Sequence, residues 1–340
     1  MYGPLPDRRN DYDVTNTVRV SSATAVRDEV SGLFRQTFPN AAFDALWIAF
    51  HDFDRLFDGR YPGYLGCDTV YHDKQHSLDM TLAMGRLLAG YEQIAEPEDR
   101  LGDERATLGL IAALFHDAGY IRRSDEPRWT NGAEFTSWHV SRSADFLRAY
   151  LPKLGLDGMV KVAAQIVHFT GYEMSLNDIE LDDPRETIVG HLLGTADLLA
   201  QMADRCYLEK CRDRLYAEFV IGGVALGATA KSVPLYHSGR DLLRKTPGFW
   251  QEAALQRMSR QFNRAYRYVE PLYGGHNPYM DFINANLGYL DEVIEADDWQ
   301  RLRREPPCFT VGADTLDQVS ALVSHKLAEH DLPASQERSQ

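Results

Sequence analysis

A chain of 340 residues, 44% of them apolar, can bury enough surface for one large domain or two modest ones, which excludes disorder as its default state. Its formal charge of −14, from 50 acidic against 36 basic residues, excludes broad electrostatic binding to a nucleic-acid polymer or an anionic membrane surface, while leaving room for a local basic pocket. No apolar run is long enough to span a bilayer and no signal-peptide layout opens the chain, so a cytoplasmic protein is expected.

Residues 1–20, with MYGPLPDRRNDYDVTNT, are polar and carry two prolines, and they read as an N-terminal arm. Helical patterns then dominate residues 21–230, read as one helical metal-binding domain. AFDALWIAFHDFDRLF, LDMTLAMGRLLAGYEQI, ERATLGLIAALFHDAG, WHVSRSADFLRAYL, MVKVAAQIVHF, ETIVGHLLGTADLLAQMADRCYL and KCRDRLYAEFVI each space apolar residues by three and four, or run apolar for longer than one strand. Gly119 stands where a C-terminal cap would, Pro152 follows AYL, and Asp182 or Asp183 before Pro184 marks a helix start. Strand-like alternation is nearly absent and no fixed-period repeat is visible, so the fold class is all-α and not a solenoid. Residues 231–300, opening on the Pro- and aromatic-rich SVPLYHSGRDLLRKTPGFW, read as a helical extension on the same domain, and 301–340 as a charged, weakly attached tail. Of the four cysteines, Cys67, Cys206, Cys211 and Cys308, only the 206/211 pair is close, at a spacing for adjacent helical turns rather than a zinc knuckle; reduced thiols are expected.

Two helices carry a chemical anomaly. LGLIAALFHDAGY is apolar nearly all round and ends in His116-Asp117; GHLLGTADLLAQM sets Asp197 amid apolar residues with no Lys or Arg within a turn. A buried carboxylate is costly unless it is paired or bound to a metal, so a cation from elsewhere should meet each. His76 begins the face continued by Met80, Ala83, Met84 and Leu87, with His72 one turn earlier at its mouth; His139 and His168 stand at the edges of two further helices. Taken singly, a histidine on an apolar face is a hydrogen-bonded core residue, the reading given to His51, His191, His237, His276, His325 and His330. The joint pattern of His76, the His116-Asp117 pair, His139, His168 and Asp197, set at the edges or middles of separate helices, points to a metal site.

His76, His116-Asp117 and Asp197, in KQHSLDM, LFHDAGY and GTADLLAQM, resemble the H…HD…D signature of the HD-domain metal-dependent phosphohydrolases over roughly residues 40 to 230. YHDKQH also resembles the YHNxxH element of cyclic nucleotide phosphodiesterases, with Asp73 in place of the asparagine, and the GYP of cyclic di-GMP members is replaced by HDAGYIRR. The resemblance implies a helical bundle with a metal held by His76, His116, Asp117 and Asp197, and a second ion held by His139 and His168 with Asp117 bridging. The cofactor would be two divalent ions among Mn, Mg, Fe, Zn and Co, since imidazole and carboxylate suit all of these. They would activate a bridging water for attack on phosphorus, with His72 as general acid.

Lys74 and Arg122 flank the motifs as candidate phosphate donors, with Arg123, Lys231, Arg240 and Lys245 as further cations; Tyr236, Phe249 or Trp250 could stack on a planar group. The expected activity is hydrolysis of a small phosphoester, a nucleotide or cyclic nucleotide foremost, by a chain that could form a homodimer. A di-iron oxygenase using the same six ligands, and a binding or signalling module with a structural metal, are the alternatives.

Overall fold

The N-caps fix where the helices begin. Ser22 accepts from Ala25 N–H, Asp73 from the N–H groups of Gln75 and His76, and Asp183 forms a reciprocal capping box with Glu186, with Pro184 in the first turn. The computed structural model describes residues 7–227 and 233–330. Among them lie α1 (Ala23–Thr37), α2 (Asp44–Phe57), α3 (Lys74–Ile94), α4 (Gly102–Phe115), α5 (His139–Tyr150), α6 (Val160–Ile166), α7 (Pro184–Ala203), α8 (Tyr207–Lys210), α9 (Tyr216–Ile221), α10 (Gly239–Phe249), α11 (Pro278–Ala296) and α12 (Thr315–Glu329). Extended pairing in this part of the chain is limited to two isolated bridges, Tyr12 with Arg19 and Tyr64 with Arg123. The fold is all-α.

Helix α3 is the axis of the molecule. Every residue from Gln75 to Glu92 is buried, because α1, α4, α7 and the 3-10 stretch Ala265–Tyr273 pack around it. A helix enclosed on all sides needs no polar stripe, which is why its sequence shows apolar residues in nearly every direction. Gly90 permits the closest of these approaches: a Cβ there would lie 1.6 Å from the Tyr268 carbonyl oxygen.

The helix expected through Leu208 stops at Ala203. Asp204 turns to extended backbone and its carboxylate accepts from Cys206 N–H at 2.6 Å and from buried Lys210 Nζ at 2.5 Å, local bonds that compete with helix continuation. The chain restarts as α8, runs through a π-helical segment, Cys211–Leu215, and continues as α9. Gly119, expected as a left-handed cap, instead sits inside the 3-10 turn Ala118–Tyr120 without positive φ.

Both chain ends depart from expectation. The described part of the arm is anchored: Arg8 donates to the Ala203 carbonyl at 2.7 Å, and Asp13 pairs with Arg86 of α3 at 2.5 Å with both side chains buried. The tail is strapped across the start of α3. Arg214 donates to the carbonyls of Pro306 and Pro307, Phe309 N–H reaches Asp73 at 3.3 Å, and Val311 N–H reaches the Cys67 carbonyl at 2.7 Å. Polar side chains that read as solvated in the sequence are here the partners of buried backbone. One core cluster consequently runs from Val14 to Leu327. Residues 1–6 of the arm, 331–340 of the tail and Lys231 lie outside the described residues.

Candidate metal centre and its cavity

Separate helices bring the expected ligands to one place. His76 comes from the first turn of α3, His116 and Asp117 from the end of α4, and Asp197 from the middle of α7. His76 Nε2 lies 3.2 Å from Asp197 Oδ1, 3.3 Å from His116 Nε2 and 3.6 Å from Asp117 Oδ2. Ligand atoms of His76, His116 and Asp197 all fall within 4.8 Å of one another, a group that could hold a metal ion. Asp117 Oδ2 is buried with no hydrogen-bond partner, although His116 Nε2 stands 3.1 Å away.

The tautomers are set from outside the cluster. His116 Nδ1 is 2.9 Å from the Ala113 carbonyl and His139 Nδ1 is 2.8 Å from the Thr136 carbonyl; a carbonyl only accepts, so each Nδ1 carries a proton and each Nε2 is left for a ligand. His139 Nε2 faces Asp117 Oδ1 at 3.8 Å. Burial works against a charged His116, but Asp117 and then Asp197 outweigh it and lift its pKa to about 9. Burial likewise opposes the Asp117 carboxylate, yet the surrounding imidazoles, His116 foremost, hold it well below the usual carboxylate range. The cluster is a set of anionic oxygens that favours a cation at its centre. These donors fit a divalent ion.

Gly119 makes the approach of α5 possible. A Cβ on it would lie 1.8 Å from the His139 carbonyl oxygen, and its own N–H donates to Ser143 Oγ at 2.8 Å while Arg142 Nε donates to its carbonyl at 2.8 Å. Glu173, which sequence reading passed over, caps the same helix from outside by accepting from the N–H groups of Val140 (2.7 Å) and Ser141 (2.9 Å).

A second omission is Glu218. This buried residue of α9 accepts from Tyr71 N–H at 2.6 Å and meets His72 Nδ1 at 2.6 Å. Burial lowers the His72 pKa and Glu218 more than reverses it, so the imidazole favours its protonated form. The ring of Tyr120 stacks between those of His72 (4.6 Å) and His139 (4.3 Å), fixing both. The signal for Glu218 was the one that exposed Asp197: an acid set among apolar residues in YAEFVI. Glu173, in the loop GYEMS, gave none.

The cluster lines a cavity of about 440 Å³. His72, His76, His116, Asp117, His139 and Asp197 all face it, as do Tyr236, Phe249 and Lys245. His168 is not in its lining: it is buried in the 3-10 turn Val167–Thr170 with Nδ1 unpartnered and burial lowering its pKa. Lys74 and Arg122 are also absent from the lining. Lys74 pairs with Asp54 (2.6 Å) and Asp58 (2.8 Å), and Arg122 with Asp68 (2.7 Å) and the Trp129 carbonyl (2.9 Å). Arg123 pairs with Asp125, and Trp250 belongs to the core. Asp73 caps α3 rather than facing the cavity. None of the six histidines read as core residues is buried; His51, His237 and His325 are exposed on polar helix faces or loops. The four cysteines are free thiols. Among the described residues, no helix is long and apolar enough to cross a membrane. Compared with known proteins, the chain matches no family model and no curated protein.

Proposed function

We propose that the chain is a metal-dependent phosphohydrolase of the HD type acting on a small phosphoester. The observation that carries this reading is the placement of the buried His76, His116, Asp117 and Asp197 cluster in the wall of one cavity with a glutamate-paired His72 beside it. His76, His116, Asp117 and Asp197 would hold a divalent ion, with His139 on the far side of Asp117. When bound, such an ion lowers the pKa of a water and offsets phosphoryl charge.

The protein's own part is proton delivery and orientation. His72 and His76 have ring centroids 5.9 Å apart, so an ester held at His76 lies within reach of His72. Glu218 occupies Nδ1 of His72 and leaves Nε2 as the nitrogen that can donate to the leaving oxygen. The carboxylate both fixes the ring and favours the protonated state needed of an acid. Tyr120 stacks on both imidazoles, lying within 17° of the His72 plane and 20° of the His139 plane.

The test is an assay of the purified chain with Mn, Mg, Co or Fe against phosphomonoesters and phosphodiesters. Asp117→Ala should abolish release, and Glu218→Gln should lower it roughly 10- to 100-fold by loosening the acid. Absence of release with every metal, accompanied by dioxygen uptake in the iron-loaded protein, would overturn the hydrolase in favour of an oxygenase.

A further inference from the structure

We infer that the substrate carries its charge at one phosphate and offers an uncharged, apolar or aromatic body to the rest of the cavity, so that nucleoside diphosphates and triphosphates are excluded. This inference rests on the phosphohydrolase reading and names the substrate class for that site.

The cavity is chemically two-sided. Its polar residues are the cluster and the groups around it, while Leu198, Leu215, Phe219, Val224, Leu242 and Phe249 supply an apolar wall from α7, α9 and α10 and the segments joining them. The rings of Phe219 and Tyr236 lie 5.8 Å apart at 21°, and Phe249 is 37% exposed, so a face is accessible to a planar body. A volume of about 440 Å³ suits a ligand of nucleoside size.

Cations are scarce among the described residues of the lining. Apart from the histidines, Lys245 is the one cationic side chain among the described residues that line the cavity. It is already committed: Nζ donates to the Leu235 carbonyl at 2.7 Å and to Asp241 Oδ2 at 2.9 Å, and it stands 5.4 Å from the Tyr236 ring centroid. Lys74 and Arg122 are tied to aspartates off the cavity, and Glu173 adds a carboxylate to the lining. Sites that take several phosphates supply arginine or lysine clamps for them, since a desolvated phosphate without a counter-charge is costly. Here an ion at the cluster can balance one reacting phosphate. A second or third would find among the described lining residues only neutral donors such as Thr136, Ser137 and Gln201, with no further cation.

In the reaction, water adds to phosphorus as the ester P–O bond breaks. One water proton is released to solvent, the proton of His72 goes to the leaving oxygen, and His72 is reprotonated from solvent.

The experiment uses the full chain loaded with Mn. Rates are compared for bis(4-nitrophenyl) phosphate, bis(2-hydroxyethyl) phosphate and a nucleoside triphosphate, and binding is read by thermal shift with phenylphosphonate, methylphosphonate and tripolyphosphate. The aromatic ester should exceed the triphosphate at least tenfold in kcat/KM, and phenylphosphonate should bind at least tenfold tighter than methylphosphonate. Phe249→Ala and Tyr236→Ala should lower that aromatic preference at least threefold. Equal or better turnover of the triphosphate, or tighter binding of tripolyphosphate than phenylphosphonate, would overturn the inference. If no ester is cleaved with any metal, the hydrolase reading fails, and the phosphonate preference alone then decides what the cavity accepts.

Discussion

Two aspartates in apolar helical surroundings show how much a neighbour matters. Asp79, one turn beyond His76, is buried with Oδ1 unpartnered, and burial pushes its carboxyl up to about 7 against the pull of Arg8 and Arg86, with Asp204 and Asp13 adding to the rise. Asp117 is as deeply buried, yet its imidazole neighbours keep it ionised. Desolvation alone neutralises a carboxyl; desolvation among imidazoles makes a ligand. The Asp79 carboxyl has a pKa higher in the folded than in the unfolded chain, so the folded state holds its proton longer. Stability from this group is greatest below about pH 4 and declines as pH rises toward 7. Asp79→Asn should therefore stabilise the protein by roughly 2–4 kcal/mol at pH 8, with the gain shrinking toward pH 4. Urea unfolding at the two pH values reads this directly, and a gain independent of pH would contradict it.

At the scale of elements, the 3-10 turn Ala118–Tyr120 that follows α4 meets α5 through a contact that tolerates no side chain. Gly119 lies against the His139 carbonyl, so Gly119→Ala must push the start of α5 away from Asp117. Overpacking of this kind costs about 1–3 kcal/mol, and the variant should lose affinity for added Co²⁺ more than a matched Gly158→Ala, whose Cβ meets open space. Equal affinities would show that α5 takes no part in the site. The helices most legible in the sequence were those with strong apolar runs, such as α4 and α7, and the start of α7 was readable, as Asp182 or Asp183, from the Asp-Pro step. Helix α1 escaped because Val26, Val30 and Phe34 form a narrow stripe in a charged segment. The break at Asp204 escaped because its cause is a buried Lys210 partner brought back by the chain itself. Local pattern reports burial well and tertiary partners poorly.

At the scale of the whole molecule, the same limit decided which site residues were found. His76, His116, Asp117 and Asp197 stood out because each is a polar group where the pattern demands apolar ones, and the fold brings them together. Lys74 and Arg122 were chosen for closeness in sequence, and the fold spends them on Asp54, Asp58 and Asp68 instead. His168, expected through the resemblance, is buried in its 3-10 turn and is not among the residues that line the cavity. The two chain ends, polar enough to read as loose, brace the helix that carries His76: Asp13 grips Arg86, and Phe309 reaches Asp73 at its cap. Every functional role proposed for the site residues requires the cluster to bind a metal ion. Titration of the full chain with Co²⁺, followed by its visible absorption and by metal analysis after dialysis, tests this most directly. At least one ion per chain should remain bound in the native protein and be lost in both His116→Ala and Asp197→Ala; an ion that never binds, or that binds equally well to those folded variants, would contradict it.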